Sequence, residues 1–400
     1  MAAESWPGGY VSDRSLPPSL GGGVGAGIGP GFGAGVEQTV SGVATRVRGA
    51  ALVVPLVIAI ASRLYSALLL SIVPLLQPNL AVPHLTGFRS PFLQWDSQWY
   101  MTIATWGYHA EAMQAGPFGG RHDFAFFPAW PTLLRGFEVL GFQVADIAAP
   151  LANLLFVAAA VFIFVVLERQ FGRTTATWGT ALLAFSPPAY VLSMAYSEPL
   201  YLLLVGALFA TRSGVVRGLL GAAVGVTRLT GVAVAAAAGV RWLRNWRDWA
   251  ALATAVGVGL AFAGWWAFIW VLTGDPLGWF QGSAQWGHKL GFAGIAAAIT
   301  EPTMIKTGYL AFVALMLGAS ILLLRRNLEL GLYAVLAIGL SLIGAPVESM
   351  PRHAMVAFPA FGLIADRLGP KRSAFLLIAF AAIQANYVIL AFVGPQPFAP

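Results

Sequence analysis

Seven apolar runs recur along the chain, at residues 51–73, 147–167, 175–193, 250–273, 308–324, 330–346 and 373–393. Each approaches or exceeds the length at which a helix crosses a hydrocarbon core, about 20 residues. Shorter runs lie at 199–211 and 354–365. All carry Leu, Ala, Val and Phe continuously, without the two-residue alternation of a membrane β-barrel. In lipid, a backbone must satisfy its own hydrogen bonds, so runs of this kind are helices. Composition agrees, with 58% hydrophobic and 10% charged residues, where a soluble domain has about half and a quarter. The expected fold class is an all-α polytopic integral membrane protein. No cysteine is present, which excludes disulfides, thiolate nucleophiles and Cys-ligated zinc.

The first 45 residues include the run Gly21 to Gly35, rich in glycine. It has no basic segment leading into a short apolar core and cleavage site, as a signal peptide would. It also lacks the Gly-Lys-Ser/Thr ending of a phosphate loop. It reads as a flexible cytoplasmic tail, with residues 46–400 as a single membrane domain. The net charge of +7 follows from topology and implies no nucleic-acid partner. Basic clusters at Arg46/Arg48, Arg169/Arg173, Arg212/Arg217, Arg241/Arg244/Arg247, Arg325/Arg326 and Arg367/Lys371/Arg372 mark cytoplasmic ends of spans. Taking all of them as inside puts residues 75–146 outside and makes segment 218–240 enter and leave on one face. Its middle, Thr227-Arg228-Leu229-Thr230-Gly231, divides it into halves too short to cross. A re-entrant pair of half-helices is expected there, the alternative being one ordinary span. With the re-entrant reading His84, His109, His122, His288 and His353 all fall in outer loops. The 20 Arg against 3 Lys, with abundant Ala and Gly, point to a GC-rich genome and hence a bacterial plasma membrane.

The outer loop contains Gln94-Trp95-Asp96-Ser97-Gln98-Trp99-Tyr100 and onward to Tyr108. On a helix, Asp96, Trp99, Tyr100, Ile103 and Gly107 share one face, which would lie along the membrane surface. Asp96 there either caps the helix or takes the proton from an attacking hydroxyl. Two prolines hold the following Arg121-His122-Asp123-Phe124 to Pro131 extended. His122 and Asp123 are binding candidates or solvated loop residues. Glu198-Pro199 and Asp275-Pro276 bring acids to the same side, with helix capping as the alternative role. Arg352 sits above an apolar span, where it either clamps a lipid phosphate or anchors the interface. Arg63 and Arg228 are basic residues at membrane depth, each expected to be functional or paired.

Trp95-Asp96 with Tyr100, Ile103-Ala104 and Gly107-Tyr108, followed by His122 and Ala125-Phe126-Phe127-Pro128 with Pro131, resembles the PIG-V family of membrane mannosyltransferases. Later blocks resemble its bacterial branch: Ser197-Glu198, Gly274-Asp275-Pro276-Leu277 with Gln285, and Ser349-Met350 followed by Arg352 and Phe358-Pro359. Trp99 and Pro351 depart from the pattern. The resemblance implies a GT-C fold, a bundle of roughly nine to eleven transmembrane helices with interfacial helices in a large first outer loop. It also implies transfer of mannose, with inversion, from a polyprenyl-phosphate-mannose donor to a glycolipid, glycan or protein hydroxyl on the outer face. Asp96 is then the catalytic base. Trp95, Tyr100, His122, Asp123, Glu198, Arg228, Asp275, Gln285 and Arg352 are the substrate-binding candidates. No cofactor is required by the reading, and a divalent cation stays open. The rival readings are a lipid or sugar transporter, which predicts broken helices with substrate groups near the midplane, and a non-catalytic subunit of the same fold.

Overall fold

The computed structural model describes residues 49–76, 90–113, 119–286 and 292–393. The tail expected at residues 1–45, together with His84 and His288, lies outside the described residues. The fold is all-α, with no β-strand among the described residues beyond an isolated bridge between Met113 and Arg121. Five helices are long and apolar enough to cross a membrane: α1 (Gly49–Leu76), α4 (Val144–Phe171), α9 (Trp249–Thr273), α12 (Met304–Leu323) and α15 (Pro359–Val393). Between α1 and α4 lie α2 (Asp96–Trp106) and α3 (Ala129–Val139). The chain is an integral membrane protein, as the length and composition of its apolar runs predict.

Several other apolar elements are half-length. The run at 175–193 is not one helix. α5 (Arg173–Ala184) stops before Pro187-Pro188, a short 3-10 segment follows at Ala189–Ser193, and α6 (Glu198–Ala210) returns. Two consecutive prolines lack the N–H groups that would continue the ladder and hold the preceding residue extended. The segment at 218–240 is likewise two helices, α7 (Gly214–Gly225) and α8 (Gly231–Arg244), joined through Val226–Thr230. α15 is itself broken at Gly369 (φ 70°) before Pro370, at the basic cluster 367–372. The remaining helices are α10 (Gly278–Ala284), α11 (Ala293–Thr300), α13 (Leu328–Gly344) and α14 (Met350–Met355).

Ion pairs show where these half-helices begin and end. Glu329 at the start of α13 takes Arg217 of α7 on one oxygen and Arg241 of α8 on the other, both at 2.5 Å. The hairpin therefore enters and leaves at the same end, as a re-entrant pair must. Arg169 donates to the Ala210 carbonyl, Asn327 to Gln170, and Arg326 pairs with Asp366 at 2.8 Å. Among the described residues, the basic clusters thus gather at one end, with Arg46 and Arg48 outside the described residues. At 1.5 Å per residue, α6 and α7 rise only about 18–20 Å from that end, short of the roughly 30 Å hydrocarbon thickness. The polar breaks consequently fall inside the protein. Ala195, Tyr196, Ser197 and Glu198 are fully buried, and Met350 and Arg352 nearly so. These segments, expected as short outer loops, are interior interruptions of the helical bundle.

The hairpin is held against α9 by small residues. A Cβ on Gly257 would lie 2.2 Å from the Gly218 carbonyl, and one on Gly225 2.6 Å from that of Val258. Close approach of backbones through glycine is how helices associate where lipid offers no hydrophobic drive.

Candidate active site

Asp96 opens α2, and the backbone just before it is strained. Trp95 has φ 52° and ψ −116°, the one positive φ at a non-glycine among the described residues. Such a conformation costs on the order of 1–3 kcal/mol and persists only where the surroundings impose it. Here the Trp95 ring packs at 4.5 Å from Phe392 near the end of α15, which turns the chain sharply and aims Asp96 inward. The Asp96 carboxylate makes no cap to the first turn; Trp95 occupies that position and has no side-chain cap bond. Its Oδ2 instead accepts from Nη1 of Arg352 on α14. The ion pair, not the helix cap, is the role the structure displays.

α2 also differs from the surface helix expected. Ser97 to Ala104 are all buried, because the helix is enclosed by α3, α4 and the 3-10 turn Pro91–Leu93. Exposed apolar side chains of the loop are Trp106 at the very end of α2, and Val139, Leu140 and Phe142 on and after α3. Gly107 (φ 82°) ends α2, and Arg135 of α3 donates to the free carbonyls of Ala104 and Thr105 at 2.8 and 2.9 Å.

Around Asp96, three helix breaks supply the remaining charges. Arg352 Nη1 lies 3.5 Å from Glu198 Oε1, and the same carboxylate oxygen pairs with Arg228 Nη1 at 2.8 Å. Arg228 comes from the tip of the α7–α8 hairpin and Glu198 from the start of α6. The four residues form an alternating row, Asp96, Arg352, Glu198, Arg228, with two negative and two positive charges. Ser197 ties the row to α2: its Oγ accepts from Arg228 Nη1 at 2.9 Å and shares a hydrogen bond with the Tyr100 hydroxyl at 2.8 Å. Tyr196 places its ring 5.2 Å from the Arg352 guanidinium. The Nε of Arg352 and the Tyr196 hydroxyl are buried without a partner in the protein.

Five of the sequence candidates, Asp96, Tyr100, Glu198, Arg228 and Arg352, are brought together here, with Trp95 supporting Asp96. Ser197 and Tyr196 join them without having been candidates. Their signal was the polar triplet Tyr196-Ser197-Glu198 inside an apolar stretch. Arg63, the other intramembrane arginine, belongs elsewhere. It donates to the carbonyls of Ala184 and Ala189 and to Ser193 Oγ, at 3.0–3.1 Å, satisfying the backbone that the Pro187-Pro188 break leaves open.

His122, Asp123 and Gln285 meet in a neighbouring cluster, joined to α2 through the Trp286 ring 4.7 Å from Trp99 and the Phe126 ring 5.1 Å from Tyr100, while Asp275 stands apart in its own turn. Asp123 is fully buried, with Oδ2 accepting from the His109 backbone N–H at 3.0 Å and facing its Nδ1 at 2.8 Å. Burial pushes the Asp123 carboxyl above its ordinary range, against the two His109 hydrogen bonds that pull it down. Burial also lowers His122, with Asp123 opposing. Gln285 accepts from the His122 backbone N–H at 2.9 Å, and the Trp286 indole donates to the His122 carbonyl at 3.0 Å. Asp275 accepts from Leu277 N–H at 2.8 Å and from Gln281 at 2.6 Å, the turn-capping geometry of an acid before proline. These contacts fasten loops to one another, and those of Asp275 are local to its turn. Among the described residues no three His, Asp or Glu side chains converge as a metal site would require.

What the charged row can do follows from its charges. A carboxylate able to accept a proton adjoins a guanidinium able to stabilise an anion, in a low-dielectric interior where such interactions are strong. A family model described as mannosyltransferase (PIG-V) matches residues 51–256, a stretch that includes Asp96, Glu198 and Arg228 and ends before Arg352. No curated protein matches the chain.

Proposed function

The chain belongs to the mannosyltransferase (PIG-V) family, and on that premise we propose that it transfers mannose, with inversion, from a polyprenyl-phosphate-mannose donor to a hydroxyl of a glycolipid, glycan or protein on the outer face of a bacterial plasma membrane. The observation that carries the proposal is the Asp96–Arg352 pair at the meeting point of three helix breaks. Asp96 takes the proton of the acceptor hydroxyl as that oxygen bonds to the anomeric carbon. The bond from that carbon to the phosphate oxygen breaks, and its electron pair leaves as polyprenyl phosphate. Once protonated, Asp96 no longer holds Arg352, whose guanidinium turns to the added phosphate charge. Glu198 and Arg228 keep Arg352 positioned throughout. A lipid-borne donor suits the depth of the row, about 20 Å from the basic end by helix rise.

The test is transfer by the reconstituted protein from labelled polyprenyl-phosphate mannose. General-base catalysis contributes on the order of 10²–10⁴, so Asp96→Asn, folded as judged by elution and melting, is expected to lose that factor. Normal transfer by the folded variant overturns the assignment. The broken half-helices also suit the transporter reading. The same proteoliposomes distinguish it, since a transporter moves intact donor between leaflets without forming mannosylated acceptor.

A further inference from the structure

At the opposite end from Asp96, the base of the α7–α8 hairpin borders an open cavity of about 440 Å³ lined by Arg241, Arg244, Asn245, Asp248, Asn327 and Glu329, with two apolar neighbours. That volume lies within the range of small-ligand sites, about 300–1,000 Å³. Its electrostatics are lopsided. Both carboxylates are already taken: Glu329 by Arg217 and Arg241 at 2.5 Å each, and Asp248 by Arg241 at 2.7 Å. Arg244 lines the cavity with no carboxylate partner among the described residues, and the Arg247 guanidinium lies 5.2 Å from the Trp246 ring. Arg241 and Arg244 in the lining balance Asp248 and Glu329, and Arg217, which reaches Glu329 from outside it, leaves a surplus of one positive charge. Two helices also begin at the cavity wall, α9 after Asp248 and α13 after Asn327, whose side chains cap the first turns through the Ala251 and Leu330 N–H groups.

The rim indicates where the anion comes from. Leu243, Trp246 and Trp249 are 74%, 65% and 67% exposed, at the end of a membrane-spanning helix. Exposed indoles beside arginines at a span terminus mark the headgroup level of a bilayer, and anionic headgroups are attracted to such basic segments. We infer that this cavity is a binding site for the phosphate headgroup of an anionic phospholipid, distinct from the proposed site of sugar transfer. Its occupant contacts Arg244 and the residues that clasp the two ends of the re-entrant hairpin.

The experiment uses the full chain in phosphatidylcholine nanodiscs with and without phosphatidylglycerol, reading retained lipid by native mass spectrometry and stability by melting. Wild type is expected to retain phosphatidylglycerol and to melt higher with it. One charge-assisted contact is worth roughly 1.5 kcal/mol, so Arg244→Gln should reduce retention about tenfold. Arg372→Gln, which removes a basic-end arginine outside the cavity, should leave retention unchanged. Equal loss in both variants overturns the site in favour of diffuse attraction. An equal stabilisation by inorganic phosphate in phosphatidylcholine, abolished by Arg244→Gln, overturns the lipid assignment in favour of a soluble anion. Repeating the measurement in the Asp96→Asn background separates this outcome from that of the transfer assay.

Discussion

Replacing Glu198 by Gln removes the negative charge between two arginines while keeping the side chain's size. Glu198 is fully buried, and its Oε1 lies 2.8 Å from Arg228 and 3.5 Å from Arg352. With an effective dielectric constant of 20, those separations correspond to about 6 and about 5 kcal/mol of Coulomb attraction. Much of that offsets the desolvation of three buried ions, several kcal/mol each. The net cost of removing one partner of a buried pair is about 3–5 kcal/mol, because the other charge is left uncompensated. Glu198→Gln is therefore expected to destabilise by about that amount. Arg228→Gln alone should cost a comparable amount. The double variant leaves Arg352 with Asp96 and no stranded charge at the hairpin tip, so its cost should fall well below the sum. A double-mutant cycle, read by equilibrium unfolding in mixed micelles, should give a coupling energy of about 2–4 kcal/mol. Independent sites add within about 0.5 kcal/mol; coupling no larger than that would refute the charged row as a cooperative unit and leave the two contacts as incidental.

Three further outcomes follow from other parts of the structure. Arg63→Met strips donors from the carbonyls of Ala184 and Ala189 and should destabilise by about 3 kcal/mol or more. Arg63→Lys should recover less than half, since an ammonium cannot span acceptors that a planar fork reaches. Gly257→Ala forces a methyl against the Gly218 carbonyl and should cost about 1–3 kcal/mol by overpacking, whereas Gly259→Ala, with open space around its Cβ, serves as the near-neutral control; both are read by melting in detergent. The raised Asp123 carboxyl binds more protons folded than unfolded, so stability should fall as pH rises from the ordinary carboxylate range through the raised value. Asp123→Asn removes that titration, and a melting series across mildly acidic pH should show the slope flattened.

Much of this architecture is legible in the chain because membrane folding is dominated by local rules. A backbone in hydrocarbon has no partner but itself, so run length and composition already announce α1, α4, α9, α12 and α15. The interruption at Thr227-Arg228 and the clustering of arginines at run ends announce the re-entrant hairpin. Asp96 and Arg352 could each be named as site candidates from their neighbours in sequence. Other features were not legible. The 175–193 run has the length and composition of a span, and what ends its helix is a proline pair that Arg63, far away in sequence, makes tolerable. The bonds that Asp275 makes within its turn and that Gln285 makes to the His122 backbone were likewise not legible, since they depend on which segments meet in space.

The sequence by itself determined that this is a helical membrane protein, that its chain breaks at Thr227-Arg228, and that Arg63 and Arg228 are left at membrane depth. The tertiary structure decided which helix breaks meet. Asp96 and Arg352 are 256 positions apart, and nothing local selects one as the other's partner. Charges act through space and gain strength where water is excluded, so their pairing depends on which half-helices stop at the same depth. Here α6, the α7–α8 tip and α14 do so around the first residue of α2.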